Sequence, residues 1–138
     1  MKRIVGVSAL LLTLLIALPG CGSTAALNQQ INNVSPSEAA GIIEENSIGA
    51  DIVILDIRTP EEFAAGKIED SINIDFYAAD FREQLDGLDK DAHYLVYCNS
   101  GNRSGQALPI FEDLGFAEVD NLSTGIAGWY NEGYPVVP

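Results

Sequence analysis

Cys98 is the residue of this chain whose type and setting can do chemistry. An apolar run, Tyr94-Leu95-Val96-Tyr97, leads straight into it, and Asn99-Ser100-Gly101-Asn102-Arg103-Ser104 follows. The run predicts a strand, and a helix is expected to begin near Arg103-Ser104. A cysteine at a strand end, before a tight glycine-containing loop and a helix start, is an arrangement that makes a thiolate. Backbone N–H groups of the loop can curl around the sulfur as an anion nest. The helix points its positive dipole end and its unpaired N–H groups at the same place. Both favour the thiolate and lower the thiol pKa. Arg103 adds a positive charge at the far end of the loop. The plainer alternative is a buried structural cysteine, packing like a small hydrophobe. It leaves the polar loop unexplained.

The elements that must position this cysteine are readable in outline. Ser35-Pro36-Ser37-Glu38 carries a cap, a first-turn proline and a capping-box glutamate, so a helix is expected to about Asn46. Asp51-Ile52-Val53-Ile54-Leu55-Asp56 is a near-continuous apolar run, the pattern of a strand buried on both faces. Thr59, Pro60 and Glu62 repeat the capping logic, for a short helix to about Ala65 that Gly66 ends. Ser71-Ile72-Asn73-Ile74 reads as a short strand, Ala78 to Leu85 as a helix, and Gly87 to Asp91 as a turn. Ser104 to Leu114 reads as a helix stopped by Gly115, with Pro109 expected to kink or shorten it. Phe116 to Val119 reads as a last strand, and Leu122 to Gly128 as a turn leading into Trp129-Tyr130. Strands alternating with helices predict an α/β domain with a central parallel sheet. In such sheets ligands bind at the carboxyl ends of strands. Asp56, Arg58 and Cys98 all fall at such ends and can share one cleft.

The N-terminus has a different character. Lys2-Arg3 is a short positive region, Val5 to Pro19 is mostly apolar, and Pro19-Gly20-Cys21 follows. That order is the pattern of a secretory signal, with an apolar core short for a membrane span. Leu18-Pro19-Gly20-Cys21 resembles the lipobox of bacterial lipoproteins, which implies cleavage before Cys21 and lipid on its sulfur. Residues 1–20 are then the signal peptide and residues 21–33 the lipid-attachment site and a small, polar, flexible tether. On this reading residues 34–138 form one domain, expected to be extracytoplasmic and lipid-anchored to a bacterial membrane; an uncleaved anchor helix and a released secreted protein are the alternatives. The chain has two cysteines. With Cys21 lipidated, Cys98 is the one free thiol, with no disulfide partner and no resolving cysteine. The formal net charge of −13 repels nucleic-acid phosphates, so no nucleic-acid partner is expected.

From Val34 to Pro138 the chain resembles the rhodanese-like (sulfurtransferase) domain. The matching pieces are Leu55-Asp56-Ile57-Arg58, Glu61-Glu62-Phe63, Gly66-Lys67-Ile68, Ser71-Ile72-Asn73-Ile74, the Cys98 loop through Arg103-Ser104, and Leu122-Ser123-Thr124-Gly125 with Trp129. Lys67 stands where the family often has His, and Gly125-Ile126 where it often has a Gly-Gly pair. Cys98 and Arg103 have four residues between them. Protein tyrosine phosphatases, and the cell-cycle phosphatases that share the rhodanese fold, use a loop one residue longer, with room for a phosphate. The shorter loop resembles the sulfurtransferases. The resemblance implies a sulfur-transfer enzyme in which Cys98 takes sulfane sulfur from thiosulfate or a related donor, carries it as a persulfide, and yields it to a thiol or protein acceptor. A non-catalytic sulfur carrier and a thiol redox sensor are the alternatives that use the same cysteine.

The remaining candidates follow from that reading. Arg103 orients an anionic donor or pairs with an acid. Asp56 holds the loop through hydrogen bonds. Arg58 reaches the cleft or binds a carboxylate elsewhere. Asn99, Ser100, Gly101 and Asn102 complete the loop, with Ser100 a possible donor to substrate oxygens. Ser104 reads as a helix N-terminal residue. His93 precedes the strand, and a preformed thiolate needs no base from it. No His, Cys and carboxylate cluster has metal-ligand spacing, so neither a metal nor another cofactor is expected.

Overall fold

The computed structural model describes residues 28–46 and 52–138. The signal-peptide reading, the lipidation reading at Cys21 and the first part of the expected tether lie outside the described residues. So does Asp51, the expected start of the first buried strand.

The elements alternate along the chain. They are β1 (Gln30–Val34), α1 (Pro36–Asn46), β2 (Ile52–Asp56), α2 (Pro60–Ala65), β3 (Ile72–Asn73), α3 (Phe81–Asp86), β4 (His93–Tyr97), α4 (Asn102–Leu114), β5 (Glu118–Leu122) and α5 (Gly125–Asn131). The strands form one sheet in the order β1-β5-β4-β2-β3, and every pairing is parallel. Parallel neighbours require crossovers, and here helices supply most of them. The carboxyl ends of all strands therefore emerge on one edge. Asp56 at the end of β2 pairs with Tyr97 at the end of β4, which sets the cysteine loop beside the Asp56-Arg58 turn.

Burial on both faces explains the apolar runs. Along β4, Tyr94, Val96 and then Cys98 face α3 and α4, packing with Leu85, Ala107, Phe111 and Phe116. Leu95 and Tyr97 face the other way, with Ala39 of α1 and with Ile126 and Trp129 of α5. The strand's period of two thus divides one sequence between two cores. Phe116 meets Tyr94 and Phe111 edge-to-face, with centroids 5.1 and 4.9 Å apart. That is the favoured aromatic geometry.

The capping boxes form as expected. The Thr59 and Glu62 pair reciprocate at 3.3 and 3.1 Å, and Ser35 and Glu38 do the same at the start of α1. Pro109 does not shorten α4, which runs through it as one helix. The missing backbone donor is offset by the burial of Ala107 and Phe111 against the sheet. The last strand lies later than Phe116 to Val119, at Glu118–Leu122. The expected turn from Leu122 to Gly128 contains the start of helix α5.

The largest departure is β1. Gln30 to Asn33, read as the end of a flexible tether, form an edge strand on β5. Their polarity hides the strand, because edge strands expose one side and need few apolar residues. Side-chain amides hold them: Asn32 donates to Asp120 at 3.0 Å, and Asn121 donates to Asn33 at 2.8 Å. Just before the strand, Gln29 donates to the carbonyls of Glu112 and Phe116. A fragment beginning at residue 35 is expected to lose about 2–3 kcal/mol of stability relative to one beginning at residue 28. That is the contribution of about one large buried apolar side chain, here the Val34 contact over Leu122. Urea unfolding of the two fragments tests this, and equal midpoints would return residues 30–33 to the tether.

Candidate active site

The site is built around the Cys98 sulfur. The residue is 1% exposed. The N–H of Gly101 donates to Sγ at 3.1 Å, and the Ser104 hydroxyl at 3.4 Å. Burial raises the thiol pKa. The Ser104 hydroxyl and the N–H groups of Ser104, Ser100 and Gly101 outweigh it, and the thiol lies below its ordinary value. Hydrogen bonds to the charged form are the winning cause here. The nest expected of the loop's N–H groups is thus made by Ser100, Gly101 and Ser104. Ser104, read as a helix-terminal residue, contributes both its hydroxyl and its amide. Asn99 and Asn102 are exposed, and the Asn102 side chain accepts from Gln106 at 2.5 Å within α4.

The loop's shape has a visible cause. The N–H groups of Ile126 and Ala127, at the start of α5, donate to the carbonyls of Cys98 and Asn99 at 2.9 and 3.0 Å. A trans peptide points its N–H away from its own C=O. Holding the Asn99 carbonyl toward α5 therefore aims the Ser100 N–H toward the sulfur. Two glycines allow the approach. Gly125 has φ +60°, and a Cβ there would lie 2.4 Å from the Asn99 carbonyl. Gly101 has φ +86°, and a Cβ would fall 1.9 Å from the Ser123 carbonyl oxygen. Backbone in the way of both positions leaves glycine as the residue that fits.

Both arginines of the cleft are paired. Arg58 bonds both oxygens of Asp56, with Nη2 at 2.6 Å and Nε at 3.0 and 3.1 Å, and also donates to the Gly66 carbonyl. Asp56 accepts the Arg58 N–H as well, and Asn73 donates to the carbonyls of both residues. Asp56 therefore holds the Arg58 turn, whereas the cysteine loop is held by α5. Arg58 lies over the Tyr97 ring at 5.6 Å. The Tyr97 hydroxyl, bonded to Ser71 and to the Ile68 N–H, is pushed above the ordinary phenol range, chiefly by burial. Arg103 makes a bidentate pair with Glu62, with both N···O distances 2.8 Å. That pair holds the Glu62 carboxyl down at about 2, against the opposing effect of its partial burial. Glu62 reads from sequence as a cap alone. Its second role is invisible there, because Arg103 lies 41 positions away.

His93 lies at the amino end of β4, the opposite end from Cys98, and its Nε2 is 2.7 Å from Asp120. Register brings Glu118 to the same place, and the ligand atoms of these three residues lie within 4.8 Å of one another. The sequence offers no sign of this cluster, since its members come from neighbouring strands. It is the one group among the described residues whose donors suit a cation, and it stands apart from the cysteine.

Three comparisons bear on the domain. The family model for the rhodanese-like domain matches residues 35–132. A protein named sulfurtransferase from Allochromatium vinosum is 37% identical over 87 residues, covering 63% of this chain and 79% of that one. Thiosulfate sulfurtransferase GlpE of Pseudomonas aeruginosa is 35% identical over 104 residues, covering 75% and 87%. The crystal structure of a rhodanese-related protein from Thermoplasma volcanium superposes with a TM-score of 0.63 at 36% identity, covering 77% and 97%.

Removing one donor to the sulfur should weaken the thiolate. In Ser104→Ala, a pH titration followed by thiolate ultraviolet absorbance is expected to move to higher pH. At a fixed pH below the midpoint the thiolate share falls, by roughly two- to five-fold, the value of one net hydrogen bond. An unmoved titration would leave the Ser104 hydroxyl without a part in activating the sulfur.

Proposed function

This chain belongs to the rhodanese-like domain family and is a rhodanese-type sulfurtransferase, and we propose that it works through a persulfide on Cys98, lipid-anchored at Cys21 on the outer side of a bacterial membrane. The observation that carries the chemistry is the convergence of N–H groups and the Ser104 hydroxyl on one sulfur, in a loop too short for the phosphate-binding pattern. A donor set of this kind stabilises an anionic sulfur without a general base. It serves the thiolate before reaction and the persulfide after it.

The Cys98 thiolate attacks the outer sulfur of thiosulfate. A sulfur–sulfur bond forms to Cys98 as the bond to the sulfonate sulfur breaks, and sulfite departs with the electron pair. The persulfide keeps one negative charge, which the Ser100, Gly101 and Ser104 donors hold. A nucleophilic acceptor, such as cyanide, sulfite or a thiol, then attacks the outer sulfur and restores the thiolate. Two half-reactions through a covalent intermediate predict ping-pong kinetics. Similarity to GlpE, a thiosulfate sulfurtransferase, supports thiosulfate as the donor. The membrane position rests on the order of charged, apolar and small residues ending in Cys21.

Two measurements test the reading. After incubation with thiosulfate, intact-protein mass spectrometry should show a one-sulfur adduct that is absent in Cys98→Ser. An adduct that survives the substitution would sink the assignment. In bacterial cells, the full chain should sediment with membranes and Cys21→Ser should move it to the soluble fraction. Membrane association that persists in Cys21→Ser would rule out the lipid anchor.

A further inference from the structure

The cleft around Cys98 contains two arginines and offers neither as a free cation. Arg58 is held by both oxygens of buried Asp56, with its own side chain 7% exposed. Arg103 is held in a planar, two-bond pair by Glu62. Such fork-to-fork pairs are the strongest arginine contacts and fix the guanidinium in place. Glu62 is fixed in turn, because one of its oxygens also accepts the Thr59 N–H in the capping box. The remaining cations of the described residues lie outside the cleft's pairs: Arg82 bonds Asp113, Lys90 is 3.4 Å from Asp86, and Lys67 donates to the Pro138 carbonyl. With two cations, two carboxylates and a thiolate, the reactive form of the cleft is net negative. It sits in a chain of formal charge −13.

Thiosulfate is a dianion, and it approaches this cleft without a free positive charge to meet it. Beside the pair lies a groove of about 270 Å³ whose apolar lining is Ala65, Ile126, Ala127, Tyr130 and Val136; Arg58 also lines it, with its charge matched by buried Asp56. Glu62 is on its wall, and Ile126 and Ala127 are the residues whose N–H groups hold the cysteine loop. Charge and shape thus agree on a donor with less charge and more apolar surface than thiosulfate.

We propose that Glu62 is a specificity-determining residue: by holding Arg103 it disfavours the dianionic donor, and the site prefers a singly charged organic sulfane-sulfur compound whose apolar group lies in the groove. The inference rests on the persulfide reading above. An organic thiosulfonate shows the step. The Cys98 thiolate attacks its terminal sulfur, the new sulfur–sulfur bond forms, and the bond to the sulfonyl sulfur breaks. A sulfinate leaves with the electron pair. One negative charge remains on the persulfide and one on the leaving group, and neither proton nor oxidant is required.

The test compares thiosulfate with benzenethiosulfonate as donors to the full chain, scoring kcat/KM, which measures discrimination. In the unmodified protein benzenethiosulfonate should be the better donor. Raising ionic strength should improve thiosulfate relative to benzenethiosulfonate, because screening relieves repulsion of the dianion more. Glu62→Gln retains an oxygen for the Thr59 cap and frees the Arg103 charge. It should raise kcat/KM for thiosulfate by up to about five-fold, the scale of a partly exposed ion pair, with a smaller change for benzenethiosulfonate. Adding Arg103→Gln should abolish that gain, locating it on the freed guanidinium. A donor ratio that Glu62→Gln leaves unchanged, or salt that favours benzenethiosulfonate over thiosulfate, would overturn the proposal. If both donors load Cys98 and the ratio does not respond, Glu62 specificity alone falls. If neither donor loads it, the persulfide reading falls too.

Discussion

The hydrogen bonds from α5 to the cysteine loop are the constraint on which the site depends. Two amides of Ile126 and Ala127 take the carbonyls of Cys98 and Asn99. Peptide geometry then leaves the loop's amides facing the sulfur. A helix start satisfies its own unpaired N–H groups in the same act. The arrangement needs Gly125 and Gly101, each against backbone of the other loop. The two loops after β4 and β5 therefore form one unit, and adjacent parallel strands bring them together.

Burial and charge are handled differently at the sulfur and at the arginines. The sulfur is almost fully enclosed, and its negative form is held by dipoles, mostly backbone, in fixed positions. In the proposed reaction, fixed dipoles cost little reorganisation when charge moves onto the outer sulfur. The arginines carry full charges, and each is matched by a carboxylate. An unmatched guanidinium as buried as that of Arg58 would be strongly unfavourable. Pairing solves the folding problem and also sets the field that a donor meets. The same contact, Glu62 with Arg103, ties the start of α2 to the first turn of α4 across the mouth of the site.

Much of the fold is legible in the residues themselves. The apolar runs of β2 and β4 and both capping boxes are local patterns, and local physics forms them. Departures occur where partners from elsewhere supply the reason. Gln30 to Asn33 have no apolar pattern, and they become a strand because Asp120 accepts from Asn32, Asn121 donates to Asn33 and the β5 backbone pairs with them. Pro109 stays inside α4 because the helix face is buried on both sides of it. Leu122 to Gly128 carry the glycines of a turn, while the start of α5 is fixed by the carbonyls it caps in another loop.

The sequence by itself determined the candidate nucleophile and its setting: Cys98 at a strand end, before a glycine-containing loop and a helix. These are short-range features, encoded within a few residues by strand propensity, φ-permissive glycine and helix capping. The tertiary structure decided which donors reach the sulfur and what neutralises the charges around it. Ile126, Glu62 and Asp120 act on residues dozens of positions away, and their spacing in the chain carries no trace of the partner. Parallel register brings the carboxyl ends of the strands to one edge, where Ile126 and Glu62 reach their partners, and sets Asp120 beside His93 toward the opposite end of β4.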